Sequence, residues 1–113
     1  IVAEHFPDVV SLDPSWEMLK KAPGMKVLGQ AEYLPFKPRS FDTIISLTAL
    51  HHTRIRKVLR EIKRLEAKTI LLSVLKKSSR CNSIISQTQK MFPQAETLEE
   101  EKDLILIIKQ SKC

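Results

Sequence analysis

The sequence predicts an α/β domain: a mostly parallel sheet with helices on both faces and a C-terminal antiparallel hairpin. Three observations carry this. Short β-branched runs alternate with helical stretches along the chain. The run Thr43-Ile44-Ile45-Ser46-Leu47 lacks charge and is largely apolar, as a central strand covered on both faces must be. Two strand-like runs flank the charged turn Glu99-Glu100-Glu101-Lys102-Asp103 with no helix between them, so the last two strands pair as a hairpin and one of them runs antiparallel.

Taken in order, residues 1–6 read as the end of a helix closed by Pro7. Residues 9–12 form a short apolar run and a buried strand. Pro14 and Ser15 open a helix over residues 16–21, which ends near Pro23-Gly24. Strands follow at residues 26–28 and 41–47. Residues 53–65 form an amphipathic helix: Ile55, Val58, Leu59, Ile62 and Leu65 make one stripe, and Arg56, Lys57, Arg60, Lys63 and Arg64 face away. A strand at residues 69–75, a helix at 82–91 stopped by Pro93, and the hairpin over 96–108 complete the chain. Repeated βα units imply parallel strands with right-handed crossovers.

The 113 residues fit one domain. The longest apolar runs are too short to span a bilayer, and no basic stretch leads into an apolar run at the start, so no membrane partner and a cytoplasmic location are expected. Cys81 and Cys113 stand far apart with no C-x-x-C pair, which supports neither a disulfide framework nor a zinc site; no metal is expected. The net charge of +6 is uneven. Residues 54–90 carry eleven Lys and Arg against Glu61 and Glu66, a net of +9, and leave the remainder at −3. Such a segment either keeps a helix face solvated or attracts a polyanion such as RNA. No aromatic residue lies between Arg54 and Lys90, so the segment itself holds no base-stacking platform.

Asp13 ends the run Val9-Val10-Ser11-Leu12-Asp13. A carboxylate there can accept hydrogen bonds from both hydroxyls of a ribose, or it can cap the helix that follows. Downstream come Ser15, Met18-Leu19, Gly29-Gln30-Ala31, Leu34-Pro35-Phe36, Ser40-Phe41-Asp42 and Ala49-Leu50-His51-His52. In order and spacing these resemble the class I S-adenosylmethionine-dependent methyltransferases, of the type 11 group, from about residue 9 to residue 75 and more weakly to 109.

The resemblance implies a Rossmann-like fold with the strand order 3-2-1-4-5-7-6 and the cofactor S-adenosyl-L-methionine. It implies that Asp13 holds the ribose, that Pro14 and Met18 pack on the adenine, and that Gln30 and Ala31 meet the adenine edge. Gln30 stands where the family usually has Asp; its carbonyl can still accept from the adenine amino group, without charge. Leu47 falls beside the methyl-donor sulfur. His51 and His52 follow; each can orient a substrate or act as a base, or simply pack at the start of the next helix. The acceptor is expected to be a small molecule or RNA.

The family's first strand and its Gly-x-Gly-x-Gly turn are missing from this chain, whose glycines are Gly24 and Gly29. Residues 1–113 are therefore expected to be a single, N-terminally incomplete methyltransferase domain with an upstream segment in the native protein. Strands 2 and 4 would then expose their inner edges, which a homodimer or a partner chain could complete. The alternative reading is a methyltransferase-like binding module without catalysis. The family's Lys-Pro-Gly-Gly-type turn is replaced by Glu66-Ala67-Lys68.

Overall fold

The computed structural model describes residues 2–5, 8–47, 50 and 53–110. Its elements are β1 (Val2–His5), β2 (Asp8–Asp13), α1 (Trp16–Leu19), β3 (Met25–Leu28), β4 (Thr43–Leu47), α2 (Ile55–Leu65), β5 (Thr69–Leu75), α3 (Cys81–Met91), β6 (Glu96–Glu99) and β7 (Asp103–Lys109). The strands form one sheet in the order β3-β2-β1-β4-β5-β7-β6. β2 and β3 are parallel, as are β4 and β5, while β7 runs antiparallel to both β5 and β6. This is the mixed α/β, Rossmann-like architecture that the sequence predicts. Among the described residues, no helix is long and apolar enough to cross a membrane.

From the centre, β2–α1–β3 steps outward one way and β4–α2–β5 the other, so right-handed crossovers put their helices on opposite faces. The burial agrees. Ile55, Val58, Leu59, Ile62 and Leu65 of α2 and Ile84 of α3 pack with Ile44, Ile70, Leu72, Leu106 and Ile108 in one core. Leu19 of α1 is buried outside that cluster. Its connection to β3 is tied to the other face, where the Ser11 hydroxyl donates to the Pro23 carbonyl at 2.6 Å.

Two expectations are corrected. Residues 1–6 were expected as the end of a helix, yet Val2–His5 is a strand. It lies between β2 and β4 and is antiparallel to both, with Val2 opposite Ser11 on one side and Ile45 on the other. The inner edges of β2 and β4, expected to be bare, are therefore paired. The physical reason is backbone satisfaction: a short extended segment beside two unpaired edges gains a ladder on each side, which outweighs a frayed helical turn. The second correction concerns Arg64. It was placed with the solvated face of α2, but it clamps the loop between β3 and β4. Its guanidinium donates to the carbonyls of Leu34 and Phe36, both at 2.8 Å, and to Glu61, whose carboxylate also accepts the Leu34 N–H at 2.8 Å.

That clamp explains the Leu34-Pro35-Phe36 and Ser40-Phe41-Asp42 motifs. Leu34 is buried, and the Phe36 and Phe41 rings meet edge to face at 4.9 Å. The Glu66-Ala67-Lys68 connection does without glycine by putting Glu66 itself in the left-handed region (φ 53°), where it pairs with Arg39, another residue of positive φ.

The hydrogen bond from Arg64 holds the Glu61 carboxyl below its ordinary pKa of 4.5, aided by the Leu34 N–H and opposed by burial. A carboxyl depressed in the folded state stabilises fully above its unfolded pKa, and that contribution is lost as pH falls through the folded value. Urea midpoints measured from pH 6 down to pH 3 are therefore expected to fall less steeply below about 4.5 in Glu61→Gln than in the parent. The exposed Glu99, likewise lowered by Lys76, contributes equally to both proteins and drops out of the comparison. Parallel profiles would remove Glu61 as a source of acid sensitivity.

Candidate functional site

The two crossovers part at the centre of the sheet, and a cleft forms outside the carboxyl ends of strands at such a switch point. A cavity of about 580 Å³ lies there, within the roughly 300–1,000 Å³ typical of small-molecule sites. Leu12, Asp13 and Pro14 reach it from the end of β2, and Gln30, Ala31, Glu32 and Tyr33 from the turn after β3. Ser46 of β4 lines it, as do Leu50, Thr53 and Arg54 at the approach to α2.

Local chemistry holds these groups in place. Asp13 Oδ1 accepts the Ser15 N–H at 2.8 Å, so the carboxylate closes the turn into α1, and Oδ2 has no hydrogen-bond partner among the described residues. The backbone of β2 and β3 stays joined past the strands, the Gly29 N–H donating to the Asp13 carbonyl at 3.1 Å. The Tyr33 N–H closes the next turn on Gln30. Across the cleft, the Glu32 carboxylate accepts the Arg54 N–H at 3.1 Å. The Thr53 hydroxyl donates to the Leu50 carbonyl at 2.7 Å. Lys57 Nζ donates to the Tyr33 hydroxyl at 2.8 Å, which together with its charge lowers the phenol's pKa. Ser46 Oγ is fully buried and has no hydrogen-bond partner among the described residues. Such a buried group costs free energy when it is left without a partner.

The structure thus brings together four of the residues singled out in the sequence: Asp13, Pro14, Gln30 and Ala31. Met18 and Leu47 are not in the cavity lining, and both side chains are mostly exposed, at 64% and 66%. His51 and His52 lie outside the described residues. Ser46, Glu32, Tyr33, Thr53 and Arg54 line the cleft without having been singled out for it. Ser46 carried one signal, a polar residue inside an apolar central strand. Among the described residues, no cluster of His, Cys, Asp and Glu suited to a metal ion is present.

Residues 1–69 match the methyltransferase domain family. This chain belongs to that family. Among curated proteins, the methyltransferase domain is similar to the uncharacterized protein MJ1252 of Methanocaldococcus jannaschii, with 44% identity over 62 residues. That match covers 50% of this chain and 25% of the relative, so the chain spans a fraction of the longer protein. Among solved structures, the PH0226 protein of Pyrococcus horikoshii OT3 superimposes with a TM-score of 0.67 at 11% identity, over 90% of this chain and 71% of that one. The YcgJ protein of Bacillus subtilis superimposes with a TM-score of 0.59 at 24% identity, over 79% of this chain and 53% of that one. At these identities the two structures show that the fold is shared.

Proposed function

We propose that this methyltransferase domain binds S-adenosyl-L-methionine in the cleft at the carboxyl ends of β2, β3 and β4 and transfers its methyl group to an acceptor. The observation that carries the reading is the convergence on one cavity of Pro14, Gln30, Ala31 and Asp13, the last with a carboxylate oxygen to spare among the described residues. When bound, the cofactor supplies an electrophilic methyl group on a sulfonium. The chain's own residues bind and align. Asp13 Oδ2 accepts from ribose hydroxyls, Pro14 and Ala31 offer apolar wall to the adenine, and the Gln30 carbonyl accepts from its amino group. Methyl transfer depends mainly on proximity and alignment, which the clamped 34–36 loop and the β4 end provide.

The test is calorimetric titration of S-adenosylhomocysteine into the 113-residue chain. Saturable one-to-one binding is expected. A folded chain that takes up no heat from this ligand, and none from S-adenosylmethionine, would overturn the reading.

A further inference from the structure

Next to the cleft lies a second cavity of about 390 Å³, between the start of α2 and α3, lined by Arg54, Ile55, Arg56, Lys57, Arg60 and Gln87. Four of the six are cations, and no carboxylate lines it. Lys20, Arg39, Arg64 and Lys76, by contrast, each carry an acidic partner. In the groove, Arg56 is bonded to the neutral amide of Gln87 and Lys57 to the neutral phenol of Tyr33. Arg60 has no hydrogen bond or ion pair among the described residues. The groove thus gathers four cationic side chains at the start of α2 with no carboxylate in its lining.

Two features give the groove direction. Arg54 lines both cavities, so the groove and the cleft share a wall. Tyr33, 59% exposed, stands in the cleft wall with the Lys57 ammonium 5.1 Å from its ring centroid. The basic segment has no aromatic residue of its own, but the fold brings one to it from the loop after β3.

We propose that this groove holds the phosphate backbone of a single-stranded RNA and that one of its bases stacks on Tyr33, so that the methyl acceptor is RNA; the last clause rests on the reading of the cleft given above. From Arg54 to Arg60 the helix advances about 9 Å at 1.5 Å per residue, room for a short stretch of one strand. A base reaches an aromatic ring only when unstacked from a duplex, the state in which RNA loops and single strands are recognised.

The test is fluorescence anisotropy of a short labelled single-stranded RNA titrated with the 113-residue chain over a range of salt, with S-adenosylhomocysteine calorimetry on every protein used. Arg56→Glu/Arg60→Glu is expected to bind at least tenfold more weakly at low salt. Its slope of log K against log salt should be shallower by roughly 1.4, the loss of two single-strand phosphate contacts. Lys68→Glu/Lys109→Glu makes the same charge change at the opposite end of β5 and β7 and is expected to keep most of the affinity. Tyr33→Ala should weaken binding about tenfold and Tyr33→Phe little, since the ring is what stacks. The proposal is overturned if the parent chain binds no RNA, if the two reversal variants lose affinity alike, or if duplex RNA of the same length binds as tightly. RNA binding lost only in the groove variant, from a chain that takes up no S-adenosylhomocysteine, leaves the groove standing and removes the cleft reading instead.

Discussion

Asp13→Ala is expected to weaken S-adenosylhomocysteine binding by about 1.5–3 kcal/mol, the range for hydrogen bonds to a charged group. That is roughly ten- to a hundred-and-fiftyfold in Kd. The variant also removes the acceptor of the Ser15 N–H, so part of any loss could come from a loosened turn into α1. Asp13→Asn separates the two effects. Its carbonyl oxygen can still accept from Ser15, while its other polar atom becomes a donor facing the ribose hydroxyls. If the carboxylate acts on the ligand, Asn should bind nearly as poorly as Ala while unfolding close to the parent. Affinity at the parent level in both variants would remove Asp13 from the site.

Gly24→Ala is expected to cost about 3 kcal/mol of stability, combining left-handed backbone strain with a steric clash. Gly24 has φ +74°, and a Cβ there would sit 2.0 Å from the carbonyl oxygen of Val9. That oxygen belongs to the backbone of β2, held on both sides by β1 and β3, so it cannot give way. Gly29→Ala is the internal control. Its backbone is not left-handed, and its Cβ would meet Leu12 Cδ1 at an ordinary 3.4 Å. Urea denaturation should show a large drop in midpoint for the first substitution, little for the second, and a similar m-value throughout. Equal midpoints would mean that the 23–24 turn can shift away from β2.

The strands and helices with strong periodicity were legible in the sequence because burial imposes that periodicity. Residues 69–75 were expected as a strand and form one with the same bounds, since an uncharged β-branched run can only be covered on both faces. The α2 stripe was legible for the same reason. The placement of Val2–His5 was not, because its conformation depends on two ladders whose partners lie in β2 and β4, the latter some forty residues away. In the cleft, Asp13, Pro14, Gln30 and Ala31 were reached through motif spacing. Tyr33 and Arg54 were missed as cleft residues because their role arises from the loop and α2 meeting in space, through Glu32 and Lys57. Arg64 shows the converse: its position on α2 suggests solvent, and only tertiary contacts reveal the carbonyls it holds.

Among the described residues, no ladder joins β2 to β4; the two half-sheets meet through the four residues of β1. This makes the middle of the sheet a seam, and the cleft straddles it. Asp13 and Pro14 stand on one bank, and Ser46 and Leu50 on the other. A molecule lodged between them acts as a staple: separating the halves requires letting it go. Mass action then adds its binding free energy to the strength of the seam, about 2.7 kcal/mol when the free ligand stands at a hundred times its Kd. On the reading proposed for the cleft, the cohesion of the domain is tied to the supply of the ligand, and a cell short of it would hold a looser protein.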